Sequence, residues 1–276
     1  MTTDRVPDRI TLAIELARHA GAFIAAGLGR KRAVEFKSDV NLVTEIDRGA
    51  QAIIVDGLAR VFPGDVVVAE EDVGQCASDG PCWYVDPLDG TTNFVHGLPH
   101  FAVSIAYFER GAAKAAVVYD PCKDELFTAE RGHGAFCNGR PLAVSQVDML
   151  DRALLVTGFP YDRREHIDAY LQYLRLFILR AQDVRRYGSA SLDLCYVAGG
   201  RFDGFWEWKL QPWDTAAGWL VVEEAGGKVT DFDGSPYDPW APRILATNGR
   251  IHAQALESLQ VLAAQTTELT GTGSAR

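Results

Sequence analysis

Cys82-Trp83-Tyr84-Val85-Asp86-Pro87-Leu88-Asp89-Gly90-Thr91-Thr92-Asn93-Phe94-Val95-His96-Gly97 sets an apolar, β-prone run ahead of two carboxylates and a glycine-threonine turn. The run predicts a buried strand that carries Asp86 to its carboxyl end, where open α/β sheets place their ligands. Pro87 has no N–H to give to a ladder, so it is expected to stop the strand and force a turn. Asp86 and Asp89 would then converge, while Gly90 lets the backbone come close to a ligand and present amides to an anion. The combination suits a hard cation held beside a phosphate.

Outward from this stretch, Ile10, Ala13, Ile14, Ala17 and Ile24 are spaced for one face of a helix over Pro7 to Gly27. A second helix is expected from Thr44, a possible cap, to Phe62, stopped by Pro63-Gly64. Val66 to Ala69, Phe101 to Glu109, Lys114 to Tyr119 and Glu125 to Ala129 read as strands punctuated by glycine or proline, the last three as a meander. From Ala153 the pattern alternates: a strand to Gly158, a helix from about Arg163 to Arg180, and a helix after Gly188. A strand Phe202 to Trp208, a helix Asp214 to Ala225, and strands near Val229 and Ile244 follow. The fold class is α/β. A boundary between Val144 and Asp151 divides an α+β half, residues 1–147, from an α/β half, residues 148–276, and the halves are expected to share a cleft.

With 276 residues, 47% of them apolar, the chain can bury a substantial core. Its 27 Lys and Arg against 37 Asp and Glu give a formal charge of −10, which argues against broad attraction to nucleic acid or an anionic membrane. Cys76, Cys82, Cys122, Cys137 and Cys195 form no close pair of the zinc-site kind, which points to a reducing cytoplasm. The first residues lack the apolar core of a signal peptide, and no uninterrupted apolar stretch approaches the ~20 residues of a membrane span. Residues 270–276 read as a small, polar, frayed tail.

Glu70 follows one strand, Asp86 and Asp89 flank a turn, and Asp214 opens a helix in Trp213-Asp214-Thr215-Ala216-Ala217-Gly218. All four offer oxygen, the donor magnesium prefers, whereas His96 and His100 have no thiol partner and no metalloprotease spacing. Two cations ~3.5–4 Å apart, sharing a ligand such as Asp86, could clamp both oxygens of a phosphoryl transfer. Asp214 by itself reads as a helix cap, and Glu70 by itself as a solvated side chain. Gly132-His133-Gly134 and Gly271-Thr272-Gly273 lack the context of a dinucleotide site and read as loops. Cys137 has no neighbouring base and reads as a small buried residue. Arg185-Arg186 reads as a surface patch open to an anionic substrate.

Asp86 to Gly97 and Trp213 to Gly218 resemble the two signature motifs of the inositol monophosphatase family. Lys37, Asn41 to Asp47, Glu70-Glu71, Gly188-Ser189-Ala190 and Glu224 to Gly227 fall in that family's order, so the likeness spans residues 7 to 265. It implies a layered αβαβα sandwich of the inositol monophosphatase and fructose bisphosphatase type. It also implies two or three Mg²⁺ per site, held by Glu70, Asp86, the Leu88 carbonyl, Asp89 and Asp214. Thr91 and Glu70 would then position the attacking water, with Asp47 steadying the threonine. Gly90, Thr91 and Lys37 would bind phosphate.

Asp89, Gly188, Ser189, Ala190 and Glu207 would line the leaving-group pocket, with Glu207 on a ring hydroxyl. The implied substrate is a small phosphorylated metabolite, inositol monophosphate first and L-histidinol phosphate second. Fructose 1,6-bisphosphate stays open, and the Thr92-Asn93-Phe94 variant points away from 3′-phosphoadenosine nucleotides. Lithium sensitivity and a homodimer are further implications. A reading of a different class is a regulatory binding protein of the transcription machinery, as some bacterial relatives are.

Overall fold

The computed structural model describes residues 8–29, 34–36, 42–71 and 80–271. Helix α1 (Arg9–Gly27) is capped by Asp8, whose Oδ1 accepts the Thr11 N–H at 2.8 Å. A short antiparallel hairpin, β1 (Val34–Phe36) and β2 (Leu42–Thr44), leads into α2 (Glu45–Val61). Next come β3 (Val66–Ala69), β4 (Cys82–Asp89), the short α3 (Thr91–Val95), β5 (Ala102–Glu109), β6 (Ala112–Asp120), β7 (Glu125–Glu130), β8 (Gly134–Cys137) and β9 (Arg140–Pro141). The second half holds β10 (Leu154–Thr157), α4 (Ile167–Arg180), β11 (Asp183–Arg185), α5 (Ala190–Ala198) and β12 (Gly204–Trp208). It closes with α6 (Pro212–Glu224), β13 (Lys228–Thr230), β14 (Arg243–Thr247) and α7 (His252–Gly271).

Strands β3 to β9 form one sheet in sequence order, parallel only between β3 and β4, so the predicted meander is present. The other sheet runs β11-β10-β12-β14-β13, parallel at β10 with both neighbours and antiparallel beyond. The pleat sends alternate side chains to opposite faces. Trp83 and Val85 pack under α1 and α2, whereas Cys82 and Tyr84 face α5 and α6. Phe205 joins that same central layer, while Trp206 faces α4 and α7. The result is the αβαβα sandwich that the resemblance implied. Close helix packing needs small residues: a Cβ at Gly57 would stand 2.3 Å from Leu16 Cδ2.

Pro87 does not end its strand. β4 continues to Asp89, and the register slips between Asp86, opposite Ser104, and Asp89, opposite Ala102. Pro87 therefore sits in a bulge, where its missing N–H breaks no ladder. Cys82 is disulfide-bonded, whereas Cys122, Cys137 and Cys195 are free. Helix α4 begins at Ile167 rather than Arg163, which leaves residues 158–166 as a loop beside the site. Among the described residues α1 alone is long and apolar enough to cross a membrane, but its Leu12, Leu16, Ala20 and Ile24 are buried in the core against α2 and the sheet.

Candidate active site

A cavity of about 490 Å³ opens between the two sheets, and Glu70, Asp86, Leu88, Asp89, Gly90, Thr91, Gly188, Ser189, Ala190, Glu207 and Asp214 all line it. The β4 bulge aims the two aspartates. Asp86 Oδ1 accepts the Leu88 N–H at 2.9 Å, which closes the bulge around the carboxylate. Gly90 follows at φ 98°, and a Cβ there would come within 3.1 Å of the His100 carbonyl and 3.2 Å of the Gly188 carbonyl. Thr91 then starts α3. Its Oγ1 lies 3.0 Å from Asp47 Oδ1 and 3.0 Å from the Leu88 carbonyl. The hydroxyl has one proton for these two acceptors and keeps lone pairs for a further donor. Asp47, on α2, is buried behind it.

The second half anchors Asp89 from across the cleft. Its Oδ2 accepts from Ser189 Oγ at 2.7 Å, from the Ser191 N–H at 2.8 Å and from Ser191 Oγ at 2.5 Å. Asp214 stands in the first turn of α6 with Oδ2 accepting the Gln211 N–H at 2.7 Å, so the capping reading holds for one oxygen while the residue also faces the cavity. Glu70 is held at the end of β3 by its own N–H, which donates to the Val85 carbonyl at 3.2 Å.

Burial pushes Asp86 well above the usual carboxylate range, and the negative charges of Glu70, Asp89 and Asp214 push it further. Asp214 is raised by desolvation first and then by Asp89. Asp89 is raised by burial, against which the bonds from Ser191 and Ser189 work. Carboxylates crowded into one cleft, where each raises the pKa of its neighbours, are what bound cations would relieve. The described side chains do not close into a cage of three or more His, Cys, Asp or Glu. An open, all-oxygen set fits magnesium, which keeps waters and substrate phosphate in its shell, better than it fits zinc.

These shifts give a stability prediction. An acid whose folded pKa lies above its unfolded value binds more protons when folded. Its stabilising contribution is complete below about pH 4. That contribution is lost as pH rises, for Glu207 through its raised value of about 8. The metal-free protein should therefore melt lower at about pH 8 than at about pH 5, and Mg²⁺ should raise Tm more at the higher pH. Scanning fluorimetry of both forms checks this, and a magnesium-induced rise no larger at pH 8 would contradict it.

At the leaving-group end, Glu207 is buried on β12 and pushed up to about 8 by burial, with Arg186 opposing and Asp89 adding. Its carboxylate rests on Gly158, where a Cβ would stand 2.3 Å from Oε2. Arg186 packs on Gly188, its Nη1 only 2.6 Å from where a Cβ would be. Asp193, on α5, is buried on the same wall.

The structure thus gathers every sequence-predicted site residue around one cavity, with Asp47 behind Thr91, except Lys37, which lies outside the described residues. Sequence reasoning missed Tyr161, Arg163, Asp193 and Lys209 on the wall, whereas Arg186 is exposed as expected and also reaches the cavity. Asp193 had a legible signal as the one charged residue of α5, a helix buried at all nine positions. The other three sit on loops and carried none.

The sequence profile of the inositol monophosphatase family matches residues 7–264. The chain is 45% identical over 253 residues to the inositol-1-monophosphatase of Synechocystis sp., covering 91% of this chain and 88% of that protein. It is 43% identical over 254 residues to the Nus factor SuhB of Escherichia coli, covering 91% of this chain and 95% of that one. The solved inositol monophosphatase from Anabaena matches with a TM-score of 0.83 at 41% identity, covering 91% of this chain and 94% of that structure.

Proposed function

Because the chain belongs to the inositol monophosphatase family, we propose that it is a magnesium-dependent phosphatase that hydrolyses inositol monophosphate to inositol and phosphate. The observation that carries this reading is the convergence of Glu70, Asp86, Asp89 and Asp214 on one cavity beside the Thr91 hydroxyl and the Gly90 turn. Magnesium held by these carboxylates and the Leu88 carbonyl would polarise the phosphate and lower the pKa of the attacking water.

The protein's own groups do the rest. Thr91 donates its hydrogen bond to Asp47 or to the Leu88 carbonyl and accepts one from the water, so the water's remaining lone pair points at phosphorus. Glu70 takes the proton as the new P–O bond forms and the ester P–O bond breaks. The leaving oxygen is protonated from solvent. The amides of Gly90 and Thr91, together with Lys37, hold the phosphate. Glu207 accepts a hydroxyl of the ring.

A Cβ at Gly158 would collide with the Glu207 carboxylate. Gly158→Ala should therefore reproduce Glu207→Ala, raising KM for inositol 1-phosphate about ten-fold with a smaller effect on kcat. Steady-state kinetics of both variants check this, and an unchanged KM in Gly158→Ala would remove Glu207 from the pocket. The function itself is tested by magnesium-dependent phosphate release that lithium suppresses. The panel is inositol 1-phosphate, L-histidinol phosphate, fructose 1,6-bisphosphate and 3′-phosphoadenosine 5′-phosphate. Highest kcat/KM on histidinol phosphate would replace the substrate and keep the chemistry.

A homodimer is part of this reading. Ile167, Leu171, Ile178 and Leu179 leave α4 with exposed apolar side chains that a second copy would cover. Light scattering at a monomer mass would remove it. The 43% identity to a Nus factor supports a second reading, a partner in the transcription machinery. A pull-down partner retained by a variant without turnover would establish it.

A further inference from the structure

Asp193 is a buried carboxylate that the proposed chemistry leaves unused. It sits on α5, where its N–H donates to the carbonyl of Ser189, one helical turn earlier, at 2.9 Å, and Ser189 is one of the two residues that anchor Asp89. It is 1% exposed, and its Oδ1 has no hydrogen-bond partner. Such an atom in a packed interior costs stability until a donor, from an ordered water or a ligand, answers it. Every other residue of α5 is uncharged, so helix packing alone gives no reason for a carboxylate here.

Its surroundings show what would answer it. Asp193 and Glu207 line the same cavity, and Arg186 reaches that wall from beside Gly188. Glu207 and Asp89 surround Asp193 with negative charge that Arg186 only partly opposes. This wall offers two carboxyl groups to a leaving group and one guanidinium. A group presenting several O–H or N–H donors away from its phosphate complements it. A flat aryl or alkyl group would leave the acceptors bare.

Resting on the phosphatase reading above, we propose that Asp193 is a specificity-determining residue whose Oδ1 accepts a hydrogen bond from a donor on the leaving group. The pocket then selects phosphate esters of polyols or amino alcohols over those of donor-free alcohols. A site built around a hydrogen bond rejects substrates that lack it, because its own polar atoms are then left unpaired.

The test measures kcat/KM of the wild type, Asp193→Leu and Asp193→Asn on inositol 1-phosphate, L-histidinol phosphate and p-nitrophenyl phosphate. In Asp193→Leu, kcat/KM for the first two should fall about ten-fold or more relative to p-nitrophenyl phosphate, chiefly through KM. Asp193→Asn keeps an acceptor oxygen and loses the charge, so it should restore the polyol ester and not the ammonium-bearing one. Asp193→Leu should melt no lower than the wild type, because an unmatched polar atom has been removed. If it fails to fold, the Asn variant and isothermal titration of wild type and Asn variant with free inositol decide instead. Equal losses on all three substrates, or no loss, would overturn the role of Asp193. A wild type that releases phosphate from none of them would sink the phosphatase reading and this inference together.

Discussion

Asp89→Asn should lower kcat on the order of 10² to 10³-fold, the range seen when a single preorganised electrostatic group is removed from a reaction site. The geometry explains why so small a change is enough. Oδ2 of Asp89 is fixed by three donors from Ser189 and Ser191. In the asparagine variant the amide oxygen takes those bonds, and the NH₂ group turns toward the cavity where a cation would bind. An oxygen ligand is replaced by a donor, and one negative charge is lost. The fold should survive and even gain, since a buried like charge beside Asp86 and Asp214 disappears. A higher Tm without magnesium, a smaller magnesium-induced shift and the lost turnover should appear together. Near-normal kcat would contradict the ligand role of Asp89.

Thr91→Val is the second large effect. Valine keeps the shape of threonine and removes only the hydroxyl that lies 3.0 Å from Asp47 and from the Leu88 carbonyl. The water would lose the acceptor that orients it while the carboxylates remain. A kcat lower by about 10² to 10⁴-fold, the range attributed to a positioned proton-transfer group, is expected with magnesium affinity little changed. The split separates this variant from Asp89→Asn, in which affinity and rate fall together. Rate and Mg²⁺ titration measured on one preparation make the comparison. A parallel fall in affinity would mean that Thr91 holds the metal site rather than the water.

Much of this arrangement is legible in the chain because the decisive residues lie on the strands and helices whose periodicity is strongest. Val66 to Ala69 and Cys82 to Val85 could be read as strands from apolar runs, and both deliver carboxylates at their ends. Pro87 misled because the bulge that accommodates it depends on β5 across the ladder, at Ser104 and Ala102, which local reasoning does not see. The loop before α4 misled for a similar reason. Arg163, Arg164 and Glu165 are helix formers, but Asp162 is claimed by Tyr170, whose Oη donates to it at 2.6 Å, and by an ion pair with Lys209. Those tertiary bonds hold the segment out of the helix and bring Tyr161 and Arg163 to the cavity. The β1–β2 hairpin and α7 went unread because their strands are three residues long and their helix lacks a strong apolar stripe. Family resemblance supplied the roles of Leu88, Glu207 and Lys37, which spacing alone would not have given.

Anomalous diffraction from crystals soaked in manganese tests the central claim most directly, because manganese accepts the same hard oxygen ligands as magnesium. The account predicts at least two peaks in the cleft, bounded by the carboxylates of Glu70, Asp86, Asp89 and Asp214 and adjacent to Thr91. A cleft without a peak, with those four side chains turned to separate partners, would contradict it.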